Sequence, residues 1–205
     1  MKWVIWPTLD DELGDKRGLL TGKVLNAGCG TRRPTLPNAS EVHNLDIFPG
    51  EDIGLVGSIE NIPIGNEEFD SVLNIAVLEH VERPWVAVKE MARVLKPGGT
   101  LVCCVPFFQP VHKVPCDYYR FTEDGLKFLL EDSGLQIVSS EYTHSAFHVL
   151  GWMAEDFLKN RGIILNLTLR PVAALWRVFS KYWNTVNIET FPSVITVVAK
   201  KGYVA

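Results

Sequence analysis

Two glycines and a downstream aspartate are the residues whose types and spacing first suggest ligand chemistry in this 205-residue sequence. Gly28 and Gly30 follow the apolar run Val24-Leu25, and a residue without a Cβ lets the backbone pass close to a ligand. Asp46 ends a second apolar run, the position at which an acid binds ribose hydroxyls in a βαβ unit. The pattern predicts a nucleotide-like ligand. An ordinary turn followed by a solvated acid is the alternative.

The segment between these two features argues against a dinucleotide. Pro34 and Pro37 interrupt it, so we expect mostly loop where a helix would usually stand. Arg32 occupies the place of a third glycine, which leaves no clean helix start to receive a pyrophosphate. A ligand without phosphates fits the sequence better.

The elements that must position these residues are buried strands of one open sheet, separated by helices. One helix is predicted from Pro84 to about Lys96, and another from about Thr122 to Asp132 with Thr122 as its cap. Short apolar or alternating runs predict the strands. They are the runs ending at Ala27 and Asp46, a very short strand near Leu55 and Val56, and strands at Phe69–Ile75, Thr100–Val105, Leu135–Tyr142 and Ser193–Lys200.

A second group of chemically capable residues lies beyond the strand that ends near Val105. The loop Pro106–Phe121 carries polar and aromatic side chains among several prolines, which suits recognition of a second substrate. Because ligands bind beyond the carboxyl ends of parallel strands, this loop and Asn74–His80 should share one mouth. The alternatives are a surface loop in which Asp117 pairs with Arg120, and a packing role for His80.

Composition narrows the function classes. The chain is 47% hydrophobic and 21% charged, typical of one globular domain, and its net charge of −4 disfavours a nucleic-acid partner. No Cys-x-x-Cys pair occurs among Cys29, Cys103, Cys104 and Cys116, which favours reduced thiols and a cytoplasmic location. No signal peptide or membrane span is expected. No His and carboxylate cluster has metal-ligand spacing along the chain, so no metal is predicted.

Residues 143–192 form an insertion between the last two predicted strands. Its apolar residues recur at helical spacing, and basic residues lie elsewhere on the same helix. Packing against its own domain or against a second copy is the preferred interpretation, and peripheral membrane contact is the alternative. The apolar set is Val172, Leu175, Trp176, Phe179, Tyr182 and Trp183, and the basic set is Arg170, Arg177 and Lys181.

Five segments together resemble the class I S-adenosylmethionine-dependent methyltransferases, in particular the small type 11 group. The resemblance spans roughly residues 20 to 142. The segments are Val24–Thr31, Leu45-Asp46, Gly57–Ile64, Phe69–Val81 and Arg93–Val102.

The resemblance implies an α/β fold of one domain with a Rossmann-like sheet, mostly parallel with the last strand antiparallel, and helices on both faces. Residues 1–21 would precede the cofactor-binding core at 22–142, and 193–205 would follow the insertion. The implied cofactor is S-adenosylmethionine, with S-adenosylhomocysteine as product. Its implied contacts are Asn26, Gly28, Cys29, Gly30, Asp46, Ile47, Ser58, Ile59 and Asn74.

Two of these positions depart from the family pattern. Asn26 stands where an acid usually helps to hold the methionine end of the cofactor. Ser58 stands where an aspartate often binds the adenine amino group. Neutral hydrogen bonds are weaker than charge-assisted ones. Weaker cofactor binding, or a catalytically inactive partner subunit, is therefore an alternative to an active enzyme.

The resulting hypothesis is methyl transfer to a small-molecule acceptor. His112 is the first candidate base, His80 the second, and Asp117 would orient a histidine or bind an acceptor hydroxyl. Tyr118, Tyr119 and Arg120 would bind the acceptor. The His112 to Phe121 stretch resembles family members from bacterial sugar and surface-polysaccharide pathways, which implies a hydroxylated acceptor. A nicotinamide-dependent reductase on a similar sheet is a third hypothesis, which the missing third glycine disfavours.

Overall fold

The computed structural model describes residues 8–113, 115–158, 163–183 and 188–203. One seven-stranded sheet dominates it, with strand order β3-β2-β1-β4-β5-β7-β6. All neighbouring pairs are parallel except those made by β7, which runs antiparallel to both β5 and β6. The predicted fold class is confirmed. The strands are β1 Gly22–Ala27, β2 Ala39–Asp46, β3 Leu55–Val56, β4 Phe69–Ile75, β5 Leu95–Pro106, β6 Leu135–Ser145 and β7 Pro192–Lys201.

Helices cover both faces of the sheet. They are α1 Leu9–Leu13, α2 Pro84–Val94, α3 Glu123–Glu131, α4 Ala146–Leu158, α5 Ile163–Thr168 and α6 Arg170–Trp183, with 3₁₀ helices at Gly14–Leu19 and Leu78–His80. In the described ranges, no helix combines the length and apolar content needed to cross a membrane.

The core forms because successive residues of a strand point to opposite faces. On one face, α2 and α3 pack against Leu25 of β1 and Leu101 of β5. On the other face, Leu13 and Leu20 pack against Val24 and its neighbours in β4 and β5. Central strands buried on both sides explain the near-continuous apolar runs in the sequence.

Local signals in the sequence hold at one helix and at one connector, and they miss the end of another helix by two residues. Thr122 caps α3, its side chain accepting a hydrogen bond from the Gly125 N–H. The connector between β1 and β2 contains no helix, as the prolines predicted. However, α2 ends at Val94 rather than near Lys96, because Leu95 already pairs with Phe69 in the sheet.

In the described part of the insertion, three helices lie beside the β6 and β7 end of the sheet. Trp176 of α6 stacks on Phe147 of α4 with ring centroids 4.3 Å apart, and Ala173 is buried. The other apolar residues predicted to share a buried face of α6, Val172, Leu175 and Phe179, are exposed. The side chains of Tyr182 and Trp183, and residues 1–7 of the predicted N-terminal segment, lie outside the description.

The first turn of α3 gives a test of acid stability. Glu123 pairs with Lys127 and accepts a hydrogen bond from the Tyr142 hydroxyl, which lowers its pKa to about 2 from 4.5. Because this carboxylate has the lower pKa in the folded state, its contribution is present above pH 4.5 and lost as the pH falls through about 2. We expect Glu123→Gln to lower the free energy of unfolding at neutral pH and to flatten its decline over that acid range.

Urea denaturation across the range measures the effect. Glu131→Gln, at the exposed end of the same helix, is the matched control and should leave the wild-type pH profile in place. An unchanged profile for Glu123→Gln would contradict the assignment.

Candidate cofactor and acceptor site

The glycine loop is anchored to the end of the neighbouring strand. The N–H groups of Gly28 and Cys29 both donate to the Leu45 carbonyl at 2.9 Å, and the Gly30 N–H donates to Asp46 Oδ2 at 2.8 Å. Asp46 Oδ1 also accepts from the Phe48 N–H at 3.1 Å. The loop and the acid therefore form one hydrogen-bonded unit at the carboxyl end of β1 and β2.

The two glycines have different physical reasons to be glycine. Both have left-handed φ angles, +72° at Gly28 and +50° at Gly30. A Cβ on Gly28 would lie 2.6 Å from Val77 Cγ1, so packing excludes it. A Cβ on Gly30 would have no heavy atom within 4 Å and would stand in open space. Gly30 thus leaves room above the loop.

That room is part of a cavity of about 390 Å³. Six residues predicted to contact the cofactor line it, namely Gly28, Gly30, Asp46, Ile47, Ser58 and Ile59. His80, His112 and Tyr118 from the predicted acceptor group line it as well. The other members of that group do not line this cavity; they are Tyr119, Arg120 and Asp117.

The remaining three predicted cofactor contacts lie behind the cavity wall. Asn26 is buried, and its Nδ2 donates to the Arg32 carbonyl at 3.1 Å and to Asn44 Oδ1 at 3.0 Å. Asn74 is fully buried and donates to the Ala27 carbonyl at 2.9 Å. Cys29 is also buried, which raises the pKa of its thiol. These side chains support the loop from below.

A second cavity, of about 420 Å³, adjoins the first. The two share Arg32, Ala76 and His112 in their walls. Trp152 and Glu155 of the insertion helix α4 supply part of the second wall. The helical insertion is therefore built into this site. The other lining residues are Glu12, Ile75, Cys104, Val105, Pro106, Gln109, His144 and Val194.

Glu79 and two histidines meet at the boundary between the cavities. Glu79 is fully buried, and its Oε1 lies 3.5 Å from His80 Nε2 and 3.6 Å from His112 Nε2. On the opposite side of each ring, His80 Nδ1 lies 2.5 Å from the Cys116 carbonyl and His112 Nδ1 lies 2.9 Å from the Pro110 carbonyl. The neighbouring Glu79 carboxylate raises the pKa of His112.

The loop that carries His112 is held by its own ion pair. Asp117 pairs with Arg120, which keeps the pKa of its carboxyl below the usual range. Asp117 Oδ2 accepts from the His112 backbone N–H at 2.9 Å, so it positions the loop and does not contact the imidazole. Arg120 Nη2 donates to the Pro110 carbonyl at 3.0 Å. Both charged side chains therefore stabilise the conformation of the loop.

The two tyrosines of the loop point toward Glu82. The Tyr118 hydroxyl donates to Glu82 Oε1 at 3.0 Å, and the Tyr119 hydroxyl donates to the Glu82 carbonyl at 2.8 Å. Their backbone N–H groups both reach the Glu79 carbonyl, at 2.7 Å and 3.2 Å. The loop after β5 is thereby tied to the segment after β4.

Sequence reasoning missed two residues of this site. Arg32 was noted only as a missing glycine, yet it lines both cavities while donating to the Ile75 carbonyl at 2.7 Å. Glu79 was passed over for its neighbour His80. The available signal was an acid directly after Leu78, just past the carboxyl end of a buried strand, where ligands bind in an open parallel sheet.

Comparison with known proteins agrees with this geometry. Residues 25–103 match the family model described as a methyltransferase domain, Methyltransf_11. Among solved structures, the [4+2]-cyclase SpnF superimposes with a TM-score of 0.64 at 19% identity, covering 93% of this chain and 79% of that one. The fold is that of the class I methyltransferases. At such identity the superposition shows the fold alone.

Curated relatives match over part of their length. A probable S-adenosylmethionine-dependent methyltransferase of Mycolicibacterium smegmatis is 29% identical over 171 residues, covering 74% of this chain and 65% of the relative. Probable tRNA methyltransferase 9B of Mus musculus is 36% identical over 114 residues, covering 49% of this chain and 25% of the relative. The chain thus spans less than two thirds of the length of these methyltransferases.

The glycine loop yields a matched pair of variants. Both Gly28→Ala and Gly30→Ala place a Cβ in a left-handed conformation, which costs roughly 1–2 kcal/mol. Gly28→Ala must also displace Val77, and overpacking of this kind typically costs a further ~1–3 kcal/mol. We expect Gly28→Ala to destabilise the fold clearly more than Gly30→Ala in urea denaturation. Equal losses would contradict the packing role assigned to Gly28.

Proposed function

We propose that this protein is an S-adenosylmethionine-dependent methyltransferase that methylates a hydroxyl group of a small molecule. The observation that carries the proposal is the pair of adjoining cavities. One is built by the glycine loop and Asp46, and the other by the insertion, with His112 in the wall of both. A donor and an acceptor bound in them would meet at that shared wall.

The residues of the first cavity fit the cofactor. The open space over Gly30 admits a ligand against the loop backbone, and Asp46 offers carboxylate oxygens to ribose hydroxyls at the end of β2. Ser58 and Ile59 line the same cavity and would border the adenine. Arg32 supplies a guanidinium for the carboxylate of the methionine end.

The departures from the family pattern do not close this cavity. Asn26 is buried among Arg32 and Asn44 and lies behind the wall, so it acts on the loop rather than on the ligand. Ser58 Oγ accepts from the Glu60 N–H at 3.1 Å and still lines the cavity. These contacts favour the active enzyme over the inactive partner subunit.

The main task of the protein in this reaction is to align the methyl group of the cofactor with the acceptor hydroxyl. The bound cofactor supplies a methyl group on a positively charged sulfur, so that a C–O bond to the acceptor forms while the C–S bond breaks and its electron pair stays on sulfur. Holding two reactants in line can supply roughly 7–11 kcal/mol of the barrier. The walls around Arg32 and His112 would do this.

His112 is the residue we assign to the acceptor proton, with His80 as the second candidate. His112 reaches both cavities, and Glu79 stabilises a proton on its ring. A base of this kind typically contributes about 10²- to 10⁴-fold in rate. Asp117 assists by fixing the backbone of His112.

The second cavity favours an uncharged, hydroxylated acceptor such as a sugar or glycan-like molecule. Trp152, Pro106 and Val194 offer apolar surface, and Gln109 offers hydrogen bonds. Glu12 and Glu155 in the same wall would repel a polyanion, which disfavours an acceptor such as tRNA. The resemblance of the His112 to Phe121 stretch to sugar-pathway methyltransferases supports the same class.

Cofactor binding is tested by calorimetric titration with S-adenosylmethionine and S-adenosylhomocysteine. We expect Asp46→Asn to weaken both at least about tenfold, because a neutral amide replaces two charge-assisted bonds worth about 1.5–3 kcal/mol each. Asp70→Asn is the control. Its carboxylate also accepts a backbone N–H, from Lys23 at 2.9 Å, but at the opposite end of the sheet.

Each outcome of the titration has a clear meaning. Loss in Asp46→Asn alone supports the cofactor pocket. No binding to the wild type would overturn the proposed activity and favour the inactive partner subunit. Equal loss in Asp70→Asn would show a general effect on folding.

The acceptor cavity is tested with methyl-labelled S-adenosylmethionine and pools of sugars, other hydroxylated small molecules and tRNA. Once an acceptor is identified, we expect Trp152→Ala to raise the KM for that acceptor and to leave the cofactor Kd unchanged. Trp152 lines the second cavity and not the cofactor cavity. Phe157→Ala, at an exposed position of the same helix, is the control. Label transfer to tRNA alone would contradict the proposed acceptor class.

A further inference from the structure

The cluster of Glu79, His80 and His112 brings three potential metal-ligand atoms together. No hydrogen-bond donor among the described residues is directed at the Glu79 carboxylate. Among the described residues, neither carboxylate oxygen of Glu79 has a hydrogen-bond partner, although the residue is fully buried. The separations of 3.5 Å and 3.6 Å to the two Nε2 atoms are longer than a normal hydrogen bond. A buried carboxylate without a partner is costly, so a cation is expected beside it.

The backbone fixes which nitrogen of each ring faces Glu79. A carbonyl can only accept, so the contacts to Cys116 and Pro110 place a proton on Nδ1 of His80 and of His112. In the neutral imidazole the Nε2 lone pair is then left free. Metal-binding histidines are oriented in this way, with the second ring N–H donating to a carbonyl or carboxylate.

The spacing also suits a metal ion. The three atoms lie within 4.8 Å of one another. Two ligands of a tetrahedral zinc ion, each about 2.0–2.1 Å from the metal, are separated by roughly 3.3 Å. The two separations from Glu79, 3.5 Å and 3.6 Å, exceed that value by only a few tenths of an ångström, and the ligand nitrogens of the two histidines lie within 4.8 Å of each other. Ligands far apart in the sequence are thus brought to metal-binding distance by the fold.

We propose that Glu79, His80 and His112 bind a divalent first-row transition metal ion, with Zn²⁺ as the first candidate. Two imidazoles and one carboxylate are a known ligand set of catalytic zinc, in which the fourth position stays open. His80 and His112 both line the cofactor cavity and His112 also lines the second cavity, so a metal held by them would lie near the place where the two cavities meet. The charge of Arg120, 3.4 Å from His112 Nδ1, is neutralised by Asp117.

The role of this metal rests on the function proposed above. A bound metal would coordinate the acceptor oxygen and lower the pKa of its hydroxyl so that water could take the proton, and His112 would then serve as a ligand instead of as the base. Metal binding itself requires neither the cofactor nor an acceptor. The sequence analysis predicted no metal because it considered only the spacing of histidines and carboxylates along the chain, and these three ligands come from two distant segments.

The test uses the full chain after treatment with a chelator, titrated with Zn²⁺ against a chromophoric competitor and with Co²⁺ by visible absorption. We expect one ion per chain and cobalt bands typical of nitrogen and oxygen ligands. Glu79→Gln, His80→Gln and His112→Gln should each weaken binding by at least the roughly 10- to 100-fold that outer-shell changes cost. His43→Gln is the control, since His43 pairs with Glu41 outside both cavities.

The outcomes separate this inference from the proposed activity. Failure of the wild type to bind either metal, or equal binding by all variants, overturns the metal site. S-adenosylmethionine titration of the same metal-free samples tests cofactor binding independently of the metal. Because Glu79→Gln alters a buried position, urea denaturation accompanies each variant. His112→Gln, in a half-buried loop, keeps the test decisive if Glu79→Gln fails to fold.

Discussion

The hydrogen bonds that tie the glycine loop to the end of β2 are the interaction on which the rest of the site depends. Leu45 accepts from two successive N–H groups, and Asp46 accepts from Gly30. Since β1 and β2 are parallel and in register from Asn26 and Asn44 to their ends, these bonds fix the height of the loop above the sheet. The connector between the two strands contains no helix, so no helix N-terminus is available to hold the glycine loop in position.

The segment after β4 plays the corresponding part for the acceptor side. Glu79 is fully buried, a costly place for a carboxylate. Its backbone carbonyl holds Tyr118 and Tyr119, and its side chain faces His112 from the same loop. One residue therefore connects the end of β4, the loop after β5 and the wall shared by both cavities. The proposed metal ion would supply the missing partner of its carboxylate.

The insertion has a different relation to the site than its sequence suggested. Its amphipathic pattern predicted a helix whose apolar face would be covered. In α6, Ala173 and Trp176 belong to a small apolar cluster shared with α4, while Leu175 is 59% exposed. The contribution of the insertion to the site comes from α4, through Trp152 and Glu155. Most residues that line the second cavity therefore lie outside residues 25–103, the segment that matches the family model.

The sequence by itself determined the order of the strands along the chain, the helices α2 and α3, the glycine loop and the acid at Asp46. These features are local, because an apolar run, a proline or a glycine determines the conformation of the residues next to it. Parallel strands then place their carboxyl ends at the same edge of the sheet. The tertiary structure alone decided which polar side chains meet. Asn26 and Asn74, which the resemblance predicts as cofactor contacts, are buried and donate hydrogen bonds to the Arg32 and Ala27 carbonyls. Glu79, His80 and His112 converge because the loop after β5 folds back on the end of β4, a contact between distant segments that no local pattern encodes.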